Sequence, residues 1–254
     1  MMYTIRFPTE SLNELPAATV AEMNAIDQAM IRISSCTRYQ MMEKAGAAVS
    51  KISKSYTSQV FPSVAVLVGS GLNGGGALVA AKHLASDGAT SHIVMAETPD
   101  DLKPVCREQY DILRGMCPQR VIVHHWNSAE PEMLSEVRGC DLIIDGMLGY
   151  GIRGEPKEPV SAMIQFANDA SVPTISVDLP SGLHPDTGTP ADPTILACGT
   201  VTLAVPKTGL TIPEASPYLG DLYLACIGIS SDIINQHISR GIFPKTFPEI
   251  MHLH

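Results

Sequence analysis

Positive charge is scarce in this chain. Its 254 residues include 17 Lys and Arg against 26 Asp and Glu, a formal net charge of -9. Nowhere do five basic residues run together. Nucleic-acid binding rests on clustered Lys and Arg, so a phosphate backbone is not the expected partner. Nor does any apolar stretch approach the ~18 residues that span a bilayer, so no membrane partner is expected. The opening MMYTIRFPTESL has one early Arg with no apolar core behind it, which argues against a secretory signal. The six cysteines form no CxxC and lie beside no histidine, so reduced thiols in a cytoplasmic protein are expected. Repeats, low-complexity tracts and dividing linkers are missing too. One domain over residues 1–254 is therefore expected, long enough for a full core.

What is present is an alternation. Two amphipathic stretches come first, Val20–Ile33 and Gln40–Ser53, with Met23, Ile26, Asp27 and Met30 at helical spacing. Short apolar runs then alternate with longer mixed segments: VAVLV (64–68), HIVMA (92–96), VIVHH (121–125), LIID (142–145), TISVD (174–178), VTLAV (201–205) and LYLACI (222–227). Thr98-Pro99-Asp100-Asp101 carries a capping hydroxyl, a proline and first-turn carboxylates, and Pro159 can open a helix to about Asn168. Apolar strands separated by helices predict an α/β fold. The expected form is three-layer and Rossmann-like, a mostly parallel sheet with helices on both faces and a helical N-terminal extension.

In such sheets the ligand lies beyond the carboxyl ends of the strands. Four strand ends carry suitable chemistry: GSGLNGG (69–75), Asp145-Gly146, Asp178-Leu179-Pro180-Ser181-Gly182 and Pro206-Lys207-Thr208-Gly209. Gly69-x-Gly71-x-x-Gly74 has the dinucleotide spacing, which by itself also fits a tight strand-to-helix turn. Asn73 adds a side-chain carbonyl able to meet a cation or ligand. Asp145 and Asp178 each close a buried run, where a carboxylate is costly unless paired, hydrogen-bonded or cation-bound. Asp178, beside a Pro-fixed turn, has the better claim to acid–base work. Ser181 lacks the GxSxG surroundings of a nucleophile. Lys207 either reaches a phosphate or forms a surface salt bridge. His124, His125 and His184 lack metal-ligand spacing, and surface or packing roles are expected for them.

At these residues the chain resembles the NAD(P)H-hydrate epimerase family, the YjeF N-terminal domain, from about Thr19 to Ile229. The resemblance rests on EMNAID (22–27), MMEKAGAA (41–48), GSGLNGGGALVAAKHL (69–84), IIDGMLGYGIRG (143–154), SVDLPSGLHPDTG (176–188) and TVTLAVPKTGL (200–210). It implies an isomerase that interconverts the R and S forms of hydrated NADH and NADPH, enabling a dehydratase to repair the S form. That dehydratase is expected to be a separate protein, and a homodimer is the expected assembly. The resemblance makes Asn73, Asp145 and Ser181 ligands of a potassium ion. It makes Leu72, Asn73, Gly74, Gly75, Gly76, Gly149, Tyr150, Gly151, Ile152, Arg153, Gly154, Glu155 and Asp178 contacts to the hydrated cofactor, with Lys207 beside them. Asp178 becomes the proton-moving group. All the proposed potassium donors are hard oxygens, as such a cation needs.

Two positions depart from the family pattern, Leu72 in place of Asn and Gly76 in place of Asp. Three rival readings follow: a related enzyme with a re-tuned pocket, a non-catalytic ligand-binding or interaction module, and an ordinary NAD-dependent oxidoreductase. The last would use Glu97 after the second strand, but no hydride-transfer site is evident.

Overall fold

A computed structural model describes residues 6–34, 37–126, 131–151 and 154–254. Its centre is a nine-stranded sheet in the order β1-β9-β8-β7-β6-β5-β2-β3-β4. The strands are β1 (Thr9–Glu10), β2 (Ser63–Val68), β3 (Thr90–Met95), β4 (Val121–His125), β5 (Leu142–Gly146), β6 (Thr174–Val177), β7 (Gly199–Leu203), β8 (Asp221–Ala225) and β9 (Ile250–Leu253). Each neighbouring pair is parallel except β8 with β9. The main helices are α1 (Val20–Ser34), α2 (Arg38–Ser53), α3 (Leu72–Ser86), α4 (Pro104–Met116), α5 (Pro131–Arg138) and α6 (Val160–Asp169).

The apolar run of β2 shows why this sheet is covered on both faces. Val64, Val66 and Val68 pack with Val49, Leu78, Leu84 and Leu113 of α2, α3 and α4. Ala65 and Leu67, pointing the other way, pack with Met133, Val137, Met163 and Ile164 of α5 and α6. A strand with two apolar faces can bury both only between helical layers. A third cluster joins Ile26 and Met30 of α1 to Leu222, Leu224 and Met251 of β8 and β9. The chain steps outward from β2 to β3 and β4, then returns to β5 on β2's other side. The resulting switch point at the carboxyl ends of β2 and β5 is where such sheets place ligands.

Several expectations change in detail. The two N-terminal helices pack onto the body of the fold, α1 against β8 and β9 and α2 against α3. In particular, α2 lies against α3 so closely that a Cβ on Gly46 would come within 2.4 Å of Val79 Cγ1. Thr98 opens only a 3-10 turn, its hydroxyl donating to Asp101 at 2.6 Å, and α4 starts later, at Pro104. The sixth run, VTLAV (201–205), is shifted: β7 starts at Gly199 and ends at Leu203, before Ala204 takes a positive φ of 65°. Among the described residues no helix is long and apolar enough to cross a membrane.

Candidate functional site

The glycine-rich segment is the first turn of α3 rather than a loop, with Gly71 as its N-cap. Its glycines have different jobs. A Cβ on Gly74 would come within 1.9 Å of the Gly69 carbonyl oxygen, so Gly74 is needed for the chain's own tight turn. Gly75 faces the Met42 thioether on α2. Neither lines the adjoining cleft, whereas Gly69, Ser70, Gly71, Leu72, Asn73 and Gly76 do. At Gly76 an added Cβ would meet only Val177 Cγ1, at an ordinary 3.7 Å, so this wall has room for a side chain.

Asp145 closes β5, completely buried and aligned with Ser176 of β6. It accepts four hydrogen bonds: from the Met147 N–H at 3.2 Å, the Ser176 hydroxyl at 2.9 Å, the Ser181 N–H at 2.8 Å and the Ser181 hydroxyl at 2.6 Å. Ser181 Oγ accepts in turn from the Leu148 N–H at 2.9 Å, and Asn73 Nδ2 donates to the Leu148 carbonyl at 2.8 Å. Asn73, Asp145 and Ser181, separated by over a hundred residues, thus form one network around Leu148. Burial pushes the Asp145 carboxyl above its ordinary value even against those four bonds. Every one of these hydrogen-bond donors is neutral.

Asp178 follows β6 at a φ of 69°, in a three-residue turn where the Leu179 N–H reaches the Val177 carbonyl at 2.9 Å. The next strand repeats the device: Ala204 has a φ of 65° and the Val205 N–H reaches the Leu203 carbonyl at 2.8 Å. Such turns are rare and strained, and strain of this kind concentrates at functional sites. Between the two turns lies Lys207. It is completely buried, its ammonium donating to Asp178 Oδ1, to the Leu203 carbonyl at 2.8 Å and to Thr202 Oγ1 at 3.4 Å. Asp178 also accepts from the Leu203 N–H at 3.1 Å. The surface salt bridge that Lys207 could have made is instead a buried ion pair.

The cleft between these elements encloses about 460 Å³, within the range of small-molecule sites. Asp178, Lys207, Gly149, Tyr150 and Gly151 line it. Gly154 and Glu155 lie outside the lining, Glu155 accepting from the Asp192 N–H at 3.1 Å. Ile152 and Arg153 lie outside the described residues. His184 serves its own turn, its Nδ1 accepting from the Asp186 and Thr187 N–H groups.

Sequence reasoning missed three residues of the cleft. Asp27 was read only as part of a helical face, yet it accepts a 2.5 Å hydrogen bond from the Tyr150 hydroxyl. Burial holds both groups toward their neutral forms, raising the Asp27 carboxyl and, with the Asp27 charge beside it, the Tyr150 phenol. The Tyr150 ring also faces the Lys207 ammonium, 5.9 Å from its centroid. Arg38 and Lys103, at the starts of α2 and α4, add two exposed cations.

Fold and cleft together define a doubly wound α/β protein with a cleft at its topological switch point, lined in part by a buried Lys–Asp pair. The chain belongs to the family described as YjeF-related protein N-terminus, which matches residues 38–209. It is 37% identical over 190 residues to the NAD(P)H-hydrate epimerase of Cenarchaeum symbiosum, covering 74% of this chain and 84% of that protein. It is 30% identical over 228 residues to the bifunctional NAD(P)H-hydrate repair enzyme Nnr of Salinibacter ruber, covering 87% of this chain and 42% of that protein. The chain therefore spans about two fifths of the bifunctional relatives it matches. In fold it is similar to the yeast protein YNL200c, with a TM-score of 0.73 and 23% identity, covering 93% of this chain and 100% of that one.

Proposed function

We propose that this protein epimerises hydrated NADH and NADPH, with Asp178 as the group that takes and returns the proton. The observation that carries the reading is the buried Asp178–Lys207 pair, held at the cleft floor by two adjoining turns at positive φ. Epimerisation changes neither the composition nor the oxidation state of its substrate, so a proton-transfer group is sufficient for it. The ammonium of Lys207 fixes the Asp178 carboxylate in place and balances its charge when the proton leaves. Arg38, Lys103 and the positive end of α3 surround the cleft with the charge that a dinucleotide's phosphates need. A dehydratase acting on the product belongs to the same proposal, as does a cytoplasmic setting. Cys106, Cys117, Cys140, Cys198 and Cys226 are all unpaired, as suits a reducing compartment.

Potassium is the second part of the proposal. Asn73, Asp145 and Ser181 offer a hard, all-oxygen donor set, and the buried Asp145 carboxylate has only neutral hydrogen-bond partners. A monovalent cation there would supply the missing charge and stiffen the Gly149–Gly151 wall through Leu148. The experiment for the activity is direct: hydrated NADH of one configuration is incubated with the protein and its conversion followed by chromatography. Faster equilibration than in buffer supports the proposal, and equality with buffer refutes it.

A further inference from the structure

Away from the cleft, His92 on β3 and His124 on β4 occupy one face of the sheet, where His124 pairs with Val94, two residues beyond His92. Their ring planes lie within 2° of parallel with centroids 5.5 Å apart, a ring nitrogen of each facing the other. Glu136 of α5 completes a triangle. His92 Nδ1 lies 3.2 Å from His124 Nε2, and these nitrogens lie 3.5 and 3.4 Å from Glu136 Oε2. The two imidazoles are largely buried, with side chains 10% and 12% exposed, while Glu136 is half-exposed at 49%.

Protons satisfy this triangle badly. Two N–H groups directed at Glu136 would face each other across the short nitrogen–nitrogen edge, and a single N–H leaves two lone pairs opposed. A metal ion satisfies all three atoms together. Zinc binds imidazole nitrogen at about 2.0–2.1 Å and carboxylate oxygen at about 2.0–2.2 Å, and a tetrahedral arrangement then sets ligand atoms about 3.3–3.5 Å apart. The observed edges of 3.2, 3.4 and 3.5 Å span that range, and the two imidazoles, whose nitrogens face each other along the line of their centroids, would turn to converge on the ion.

We propose that His92, His124 and Glu136 form a binding site for a zinc-type divalent cation, with three protein ligands. Two imidazoles and a carboxylate suit zinc and its first-row neighbours better than magnesium or calcium. None of the three residues lines the cleft. The ion would tie β4, an edge strand, to β3 and α5, so its predicted effect is on stability. The ligands escaped sequence reading because the sheet, and not a short motif, brings them together.

The test is a zinc titration of the chelator-stripped full chain against a chromophoric competitor, repeated with His92→Asn, His124→Asn and Glu136→Gln. One zinc per chain is expected, with affinity reduced roughly 100-fold or more by either histidine change and roughly 10-fold by the glutamate change. Glu136→Gln alters a half-exposed helix position and decides the matter if a histidine variant does not fold. Cobalt substitution separates this site from the thiols, because a nitrogen and oxygen site gives visible bands without thiolate charge transfer. No saturable binding, affinity unchanged in Glu136→Gln, or a thiolate band on the bound cobalt would each overturn the proposal.

Discussion

Asp145 and Asp178 end neighbouring strands, both are buried, and the chain neutralises them by opposite means. Asp178 has a counter-ion of the chain's own, the Lys207 ammonium, and opens onto the cleft. Asp145 lies out of the cleft lining, held by two serines and two N–H groups with no cationic side chain among those partners. A buried carboxylate is expensive in either setting. The difference separates roles: a carboxylate with a fixed cation beside the ligand can exchange a proton without stranding charge, whereas one caged by neutral donors holds backbone in place and attracts a cation from solution.

That contrast is broken most severely at the ion pair. Asp178→Asn should lower epimerisation by roughly 10²-fold or more, the usual scale of acid–base catalysis. It should also destabilise the fold by up to roughly 3–5 kcal/mol, because Lys207 is left charged and buried without its partner. Adding Lys207→Met to Asp178→Asn removes the stranded charge. The double variant should regain melting temperature but not turnover, as followed by calorimetry and the epimer assay. If melting does not recover, burial of the pair is not what the single variant disturbs.

At Asp145 the expected effect is smaller and depends on the salt. Potassium at about a hundred times its dissociation constant should stabilise the protein by about 2.7 kcal/mol relative to a bulky organic cation. Ser181→Ala should abolish that difference in thermal melts, whatever it does to stability itself. Superimposable melting curves of the unaltered protein in the two salts would leave Asp145 without its proposed ion.

The smallest effect concerns the wall of the cleft. Leu72 is half-exposed there, and Gly76 leaves space in front of Val177. Leu72→Asn with Gly76→Asp should raise epimerisation by at most about 10-fold, the worth of one good hydrogen bond. The gain would mean that the present pocket favours a less polar or bulkier ligand. Equal rates in the two proteins would show that it is not re-tuned.

The parallel sheet was legible because its strands are buried on both faces, which leaves bare apolar runs such as 64–68. The strand ends could be read together for the same reason, since a parallel sheet gathers all its carboxyl ends at one mouth. What could not be read were facts of three-dimensional approach. Gly74 looks like a ligand-binding glycine in sequence, but it gives way to the Gly69 carbonyl. Lys207 reads in sequence as either a phosphate contact or a surface salt bridge, and its burial beyond the turn at Ala204 has no local signal. Asp27 sits on α1 with no local motif to mark it, and Tyr150 reaches it from 123 residues away. Strands β1 and β9 escaped notice because the two are short and β9 pairs antiparallel with β8 at the far edge.

The central claim is that the paired carboxylate at the cleft floor moves a proton on a hydrated nicotinamide. It is tested most directly by following one purified epimer of hydrated NADH with the unaltered protein, with Asp178→Asn/Lys207→Met, and with buffer alone. Rapid equilibration by the unaltered protein is predicted, with the folded double variant slower by roughly 10²-fold or more. Undiminished equilibration by that folded double variant would contradict the account.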